Sequence, residues 1–458
     1  MTMTDEVALL RAENARLAVE NATLQSALAA AQETICQQHE ALLQLEVRLR
    51  EVEQRPPPWA KAKTPARVPK TRKKRAPAHN KGRRREEPTQ RADHAYERCP
   101  DCQYQLRGQS VAWSRQVIEL PEPAPIEVIE HRGLKRYCPV CQKWQTPRVD
   151  LAGVVLGQSR LGVRLVSLLG WLRARLRLPL SQIQEVVQTL WGLHLSEGGI
   201  VDSLRRLAAA TAEERAHIAA QIRGSPAVHA DETGWRENGQ HGYVWVRATP
   251  QGACLYTYEQ SRAGTVAQAL LDDCTGVCCS DFYGAYNGVL GRKQRCWAHL
   301  LRALHALKET HPQAPDVQEW AMALRALYDH GHKCTRQELS ATQRERAYRQ
   351  LERRARALAC CYADTAGHPC QTLALRLRRH RGELFEFVRV PDLGATNNEA
   401  ERRLRPLVIA RKISGGTRSP QGTQTRLDLA SLFQTWHAQG GNSFAACSAL
   451  LHSALPQV

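Results

Sequence analysis

The chain has 458 residues, 43% of them hydrophobic, and a formal charge of +19. That length holds several domains with cores of their own. No run of about 18 apolar residues offers a membrane span, and the opening MTMTDEVALLRAEN lacks the basic start and apolar core of a secretory signal. A charge of this size and sign points to a polyanionic partner, nucleic acid first, and to the cytoplasm or nucleoid. The 15 cysteines read as thiols or metal ligands rather than a disulfide framework.

Residues 5–53 contain neither Pro nor Gly and read as one long helix. Val7, Asn14, Asn21, Leu28, Ile35, Leu42 and Leu49 share one heptad position; Leu10, Leu17, Leu24, Ala31, Gln38 and Leu45 share the other. This spacing predicts a leucine-zipper-like coiled coil whose Asn residues set register and favour a homodimer, or a higher oligomer built through this helix. The alternative is one amphipathic helix packed on its own domain. Residues 54–92 change character. Lys and Arg, with Lys73, Lys74, Arg75, Arg83, Arg84 and Arg85 the densest, stand among prolines and face only Glu86 and Glu87. Proline and like charge oppose collapse, so this is a linker that touches DNA phosphates without reading sequence, or a solvated spacer.

Residues 93–148 carry two C-x-x-C pairs, Cys99/Cys102 and Cys138/Cys141. Four thiolates in two knuckles suit a structural, tetrahedral Zn2+ with no open position for chemistry. The Val/Ile-rich text between them predicts a β-rich insert filling a zinc ribbon. Residues 155–222 are helical again, with Ser181 and Ser196 placed as N-caps. Helix, short turn, helix fits a DNA-reading helix-turn-helix and, nearly as well, a plain bundle.

From residue 224 the period changes to that of strands. SPAVHADETGW is a short apolar run with Asp231 and Glu232 at its end. GYVWVRAT and ACLYTYEQS follow as hairpin strands, GTVAQALLDD as a helix, and GVCCSDFYGAYN as a second apolar run ending at Asp281. RKQRCWAHLLRALHAL is a strand running into a helix. The order β-β-β-α-β, then α/β, is that of a ribonuclease-H-like core, in which the first and fourth strands adjoin and bring Asp231 and Asp281 together. Such a pair repels, and hard divalent cations, Mg2+ or Mn2+, remove that cost. A third carboxylate is then expected on a later helix. In TNNEAERRLRPLVIARKISGG, Glu399 and Glu401 point to nearly opposite sides. Glu401 shares a face with Leu404 and Val408 and is the one expected to look inward; Pro406 is a possible kink. Arg402, Arg405, Arg411 and Lys412 lie nearby as DNA-phosphate contacts.

HADETGW, SDFYGAY, CWAHLLRAL and NNEAERRLRPLVIARK, in this order, resemble the transposases of the insertion sequence 66 family, of the aspartate–aspartate–glutamate group. The resemblance implies Asp231, Asp281 and Glu401 as catalytic metal ligands, and puts the glutamate in an N-N-x-x-E-R block that here is Asn397, Asn398, Glu401 and Arg402. Where the family often has Asp before the two Asn, this chain has Thr396. It implies Mg2+-dependent cutting of double-stranded DNA at element ends and joining of the free 3′-hydroxyls to a target, with small accessory proteins as possible partners. A DNA-binding regulator that no longer cuts, and a plain nuclease of the same core, are the rival readings. Glu232 is expected to be a neighbour of the site rather than a ligand.

The expected fold is a multidomain α+β chain. It has a coiled coil (5–53), a basic linker (54–92), a zinc ribbon (93–148), a helical DNA-binding region (155–222), and a ribonuclease-H-like core (224–303 and 393–450) interrupted by an Arg-rich helical insertion (304–392). The insertion either lies along DNA or is a packed bundle with solvated charges. Cys296 and His299 have C-x-x-H spacing, which suits a second zinc or ordinary core and helix-start positions.

Overall fold

The structure, a computed structural model, describes residues 13–28, 31, 32, 34, 38, 87–108, 110–118, 120 and 122–453. The chain divides into two compact units, Met1–Leu120 and Pro121–Val458. In the first, residues 13–28 form helix α1, on which Leu17, Leu24 and Leu28 are exposed. The earlier heptad positions and most later ones lie outside the described residues, as do Lys73, Lys74, Arg75, Arg83, Arg84 and Arg85. Around Cys99 the chain turns tightly: Gln103 N donates to the Cys99 carbonyl at 2.9 Å and Cys99 N to Tyr104 O at 2.8 Å. The amide of Cys102 leads the interactions that hold the Cys99 thiol below its usual range.

The second unit opens with β1 (Arg136–Cys138) and β2 (Lys143–Gln145), an antiparallel hairpin around the second cysteine pair. Cys141 N donates to Cys138 Sγ at 3.4 Å, the knuckle arrangement seen again. The expected β-rich insert is not there: among the described residues from 107 to 135 no strand forms. Pro123 and Pro125 have no N–H to give a ladder, and Val111, Val117, Ile118 and Val128 stay exposed.

Helices α2 (Val163–Gly170), α3 (Leu180–Trp191), α4 (Glu197–Ala210) and α5 (Ala212–Arg223) follow, with a π-helical turn, Trp171–Arg175, after α2. Ser196 caps α4 as expected, accepting from Gly199 N at 3.1 Å. Ser181 does not cap α3. That helix starts at Leu180 behind Pro179, so Ser181 is already inside the first turn.

The five-stranded sheet comprises β3 (Ala227–Glu237), β4 (Gln240–Ala248), β5 (Cys254–Glu259), β6 (Val277–Ser280) and β7 (Lys293–Arg295), in the order β5-β4-β3-β6-β7. β3 to β5 are antiparallel; β6 and β7 add in parallel. The first and fourth strands of this sheet therefore adjoin. Asn238 and Gly239, both at positive φ, make the two-residue β3–β4 loop, which pairs Glu237 with Gln240. One expectation is corrected here: Asp231 and Glu232 are not at a strand end but midway along β3. The turn signal comes only at Asn238-Gly239.

Helix α6 (Gly264–Leu271) crosses between β5 and β6, and α7 (Trp297–Thr310) leaves β7. Next come α8 (Pro315–Thr335), α9 (Ala341–Tyr362), α10 (Gln371–His380) and the single turn α11 (Glu386–Arg389). They share a core with Trp297 and Leu300 of α7 and with Val277 and Cys279 of β6. The chain then returns to the sheet through α12 (Asn398–Ser414), α13 (Pro420–Ala438) and α14 (Ser443–Ser453). Pro406 does not break α12. Alternation along β3 assigns its two faces. Val228 and Ala230 join the core under α2 to α5, whereas Trp235 packs with Leu404 and Leu407 of α12. Among the described residues no helix is long and apolar enough to cross a membrane.

Candidate active site

Period two along β3 separates Asp231 from Glu232. His229, Asp231, Thr233 and Trp235 occupy the α12 side. There His229 Nδ1 lies 3.2 Å from Asn397 Oδ1, and Trp235 Nε1 donates to Thr417 at 3.0 Å. Glu232 occupies the other side and is fully engaged. Arg262 Nε donates to it at 2.8 Å, Tyr286 donates its hydroxyl, and the carboxylate is 1% exposed. Its charge is the first of the neighbouring carboxylates to act on Asp231. Glu232 braces β3 against the β5–α6 loop and the turn after β6.

Asp281 follows the last residue of β6. The β3–β6 ladder ends at the pair His229 and Cys279, so Asp231 and Asp281 each stand two residues past it. Side-chain and backbone bonds hold the Asp281 turn. Its Oδ1 accepts from Tyr283 N at 2.8 Å, and its carbonyl accepts from Arg295 Nη1 at 2.8 Å. Arg295 is wholly buried and also donates to Glu383 at 2.7 Å and to Asn287 at 2.8 Å.

Asn397 positions the first turn of α12. As the residue before α12 it donates Nδ2 to the carbonyl of Ala230 at 2.8 Å and its backbone N to Cys296 Sγ at 3.1 Å. The first turn of α12 is thereby fixed against β3 one residue before Asp231, and Glu401 sits in that turn. Burial, reinforced by the charges of Glu232, Asp281 and Glu401, pushes the Asp231 carboxyl up to about 7. Among the described residues neither Asp231 nor Asp281 has an ion-pair partner. Glu401 pairs with Arg302 at 3.9 Å.

The two glutamates of α12 divide differently from expectation. Glu401 is not the inward one: its side chain is 42% exposed, against 16% for Glu399. Glu399 is drawn in by Arg402 at 3.1 Å and by the buried Arg403, which neutralise it. A helical-wheel argument fails here because an arginine, Arg403, supplies part of the buried face. Glu401 is nevertheless the one whose charge reaches Asp231. It also lies with Cys296 and His299, the three ligand atoms within 4.8 Å of one another, and His299 Nδ1 is buried without a hydrogen-bond partner. The C-x-x-H spacing thus marks a real grouping, at the amino end of α7 beside the third acid.

Of the expected phosphate contacts, Arg405 and Lys412 are exposed, and Arg402 is exposed while pairing with Glu399. Arg411 is engaged within the protein. Its Nη1 donates to the Gly234 carbonyl and to Thr233 Oγ1 at 3.2 Å, so it ties α12 to β3. His229, Asn397 and Arg295 were not singled out as supports in the sequence. His229 had a signal, since it shares the strand face of Asp231.

Among the described residues the one close set of three potential ligand side chains is Cys296, His299 and Glu401, and Asp231 and Asp281 are not part of it. Asp231, Asp281 and Glu401 offer carboxylate oxygens, and their mutual repulsion is relieved by added positive charge. A family model described as "Transposase IS66 family" matches residues 158–425. A protein of Sinorhizobium fredii, described as "Uncharacterized protein y4jO", is 28% identical over 35% of this chain and 53% of its own length, so the chain spans about half the length of that curated relative.

Proposed function

Since this chain belongs to the transposase IS66 family, we propose that it is a DNA transposase whose reacting centre is Asp231, Asp281 and Glu401. The observation that carries the reading is the grouping at the α12 side of β3: Asp231 and Asp281 each stand two residues past the end of the β3–β6 ladder, Glu401 lies in the α12 turn tied to β3, and among the described residues no ion pair offsets either aspartate. The three acids would hold Mg2+ or Mn2+. Bound there, a pair of such ions would supply activation of an attacking oxygen and stabilisation of the leaving one on phosphorus.

The chain's own residues set the geometry. Asn397 holds the Glu401 turn to β3, Arg295 holds the Asp281 turn, and Glu232 with Arg262 and Tyr286 holds the far side of β3. Water is the first nucleophile and a DNA 3′-hydroxyl the second, so no covalent bond to the protein is needed. Below about pH 7 Asp231 keeps a proton that must leave before the metal is held, so metal affinity rises with pH through that value.

The rest of the chain has supporting parts in this reading. Residues 5–53 pair two copies and so two DNA ends, and 54–92 follow phosphates. Residues 93–148 hold a structural Zn2+ on Cys99, Cys102, Cys138 and Cys141. The helices of 155–222 and the insertion of 304–392 hold duplex DNA, and the core spans 224–303 and 393–450. Arg402, Arg405 and Lys412 reach phosphates at the cleft.

The test is Mg2+-dependent cleavage and joining of DNA carrying the element's own ends. Asp281→Ala and Glu401→Ala should abolish cutting and keep binding, and Glu399→Ala should keep both. Cutting without joining would make the chain a nuclease. A wild type that binds but never cuts, even with the neighbouring gene products added, would make it a regulator.

A further inference from the structure

Away from the carboxylates, a cavity of about 380 Å³ opens between the helical region and the start of α13. Four arginines line it: Arg173 from the π-helical turn, Arg205 from α4, Arg418 from the loop before α13, and Arg426 from α13. Thr417, Ser419 and Thr425 add hydroxyls, and no carboxylate lines it. Acids stand behind the lining: Glu197 acts on Arg173 from the first turn of α4, Asp202 pairs with Arg205 at 3.3 Å, and Glu237 accepts from Thr423, which bonds Thr417.

Arg426 is the telling residue. It is 8% exposed, yet among the described residues its one hydrogen bond runs from Nη1 to the carbonyl of Arg173 at 3.1 Å. A guanidinium has five N–H donors and stays charged, so burying it beside other arginines without an acid is costly unless an anion completes the set. Burial first, then Arg173 and Arg177, press its pKa down to about 9. Arg205 Nε is likewise buried without a partner.

The backbone fits the same ligand. Ser419 and Pro420 start the 19-residue α13 beside the cavity, and a helix's amino end favours negative charge. Gly416, at φ 121, lets the α12–α13 loop pass close to β3; a Cβ there would meet the Arg236 carbonyl at 2.1 Å. The loop that carries Arg418 is therefore fixed rather than free to swing away.

We propose that this cavity is a phosphate seat, in which Arg173, Arg205, Arg418 and Arg426 grip one backbone phosphate of duplex DNA at a place separate from the carboxylates. Guanidinium forks match phosphate oxygens in pairs, which the compact ammonium of Lys does not. The choice of DNA over a free phosphate compound rests on the transposase reading above.

Two measurements test it on the full chain: fluorescence anisotropy with a labelled duplex of element-end sequence across a salt series, and thermal shift with inorganic phosphate. Arg418→Ala and Arg426→Gln should each weaken duplex binding about tenfold and lower the salt slope by about one. Both should also lose stabilisation by phosphate. Should Arg426→Gln not fold, the exposed Arg418 still decides. Unchanged affinity, slope and phosphate response in folded variants would overturn the seat and leave the transposase reading standing. Arginine-dependent stabilisation by phosphate with duplex binding unaltered would overturn DNA as the source. A wild type that takes phosphate through these arginines but binds no duplex would keep the seat and sink the transposase reading.

Discussion

Around Asp231 the chain gathers carboxylates, and no cation of the described residues pairs with Asp231 or Asp281; around Arg426 it gathers guanidinium groups, and no carboxylate lines their cavity. Elsewhere buried charges are matched: Glu232 with Arg262, Arg295 with Glu383, Glu386 with Arg389. The two regions have opposite sign but the same incompleteness. A matched buried charge holds the scaffold, and an unmatched one marks where a ligand of the other sign belongs.

The most damaging way to probe this contrast is to remove a carboxylate of the cleft. Asp281→Ala or Glu401→Ala should cut the rate of DNA cleavage by about a thousandfold or more, measured on end-bearing duplex, with affinity unchanged. Next is stability against pH. The folded value of Asp231 lies near 7, above its ordinary 3.8. The contribution of its proton-bound form is therefore complete below pH about 4 and is lost as pH rises to about 7. Without divalent metal, Asp231→Asn should be more stable than the wild type at pH 8, by up to about 3 kcal/mol in urea unfolding. Adding Mg2+ should raise the wild type and leave the variant unmoved; equal stability at pH 8 would refute the clash of charges.

A matched charge should behave otherwise. Glu232→Gln should cost about 1–3 kcal/mol and leave stabilisation by Mg2+ intact, as read by thermal shift in a metal titration. If it instead abolishes the Mg2+ response, Glu232 is a ligand and not a brace. The smallest effect separates two neighbours on α12. Lys412→Ala should lower the salt slope of DNA binding by about one. Arg411→Met should leave that slope alone and cost about 1 kcal/mol of stability through its lost bonds to β3.

Much of the sheet could be read beforehand because it is local. Short apolar runs, turn residues and a helix between the third and fourth strands have a period that one segment displays by itself. The mid-strand place of Asp231 was missed because an acidic pair looks like an ending, whereas pairing with β4 carries β3 on to Asn238-Gly239. The choice of Glu401 rests on the family motif and not on a helical wheel, since Arg403 turns its long stem inward and takes Glu399 with it. Arg426 was illegible. Nothing in TQTRLDLA separates a solvated arginine from one enclosed by the π-helical turn, α4 and its own helix, because the enclosing residues come from far away in the chain.

Arg295 has one more consequence, for the history of this chain and for anyone shortening it. Its guanidinium bonds at once to the carbonyl of Asp281, in the core, and to Glu383, near the return of the helical insertion. Burial works against the Glu383 charge, yet His380 and Arg295 hold its carboxyl down to about 2. Trimming α8 to α11 to make a compact version would leave Arg295 charged, enclosed and unanswered beside the Asp281 turn. The insertion and the core are therefore expected to be lost, kept or exchanged together, with positions 295 and 383 changing as a pair.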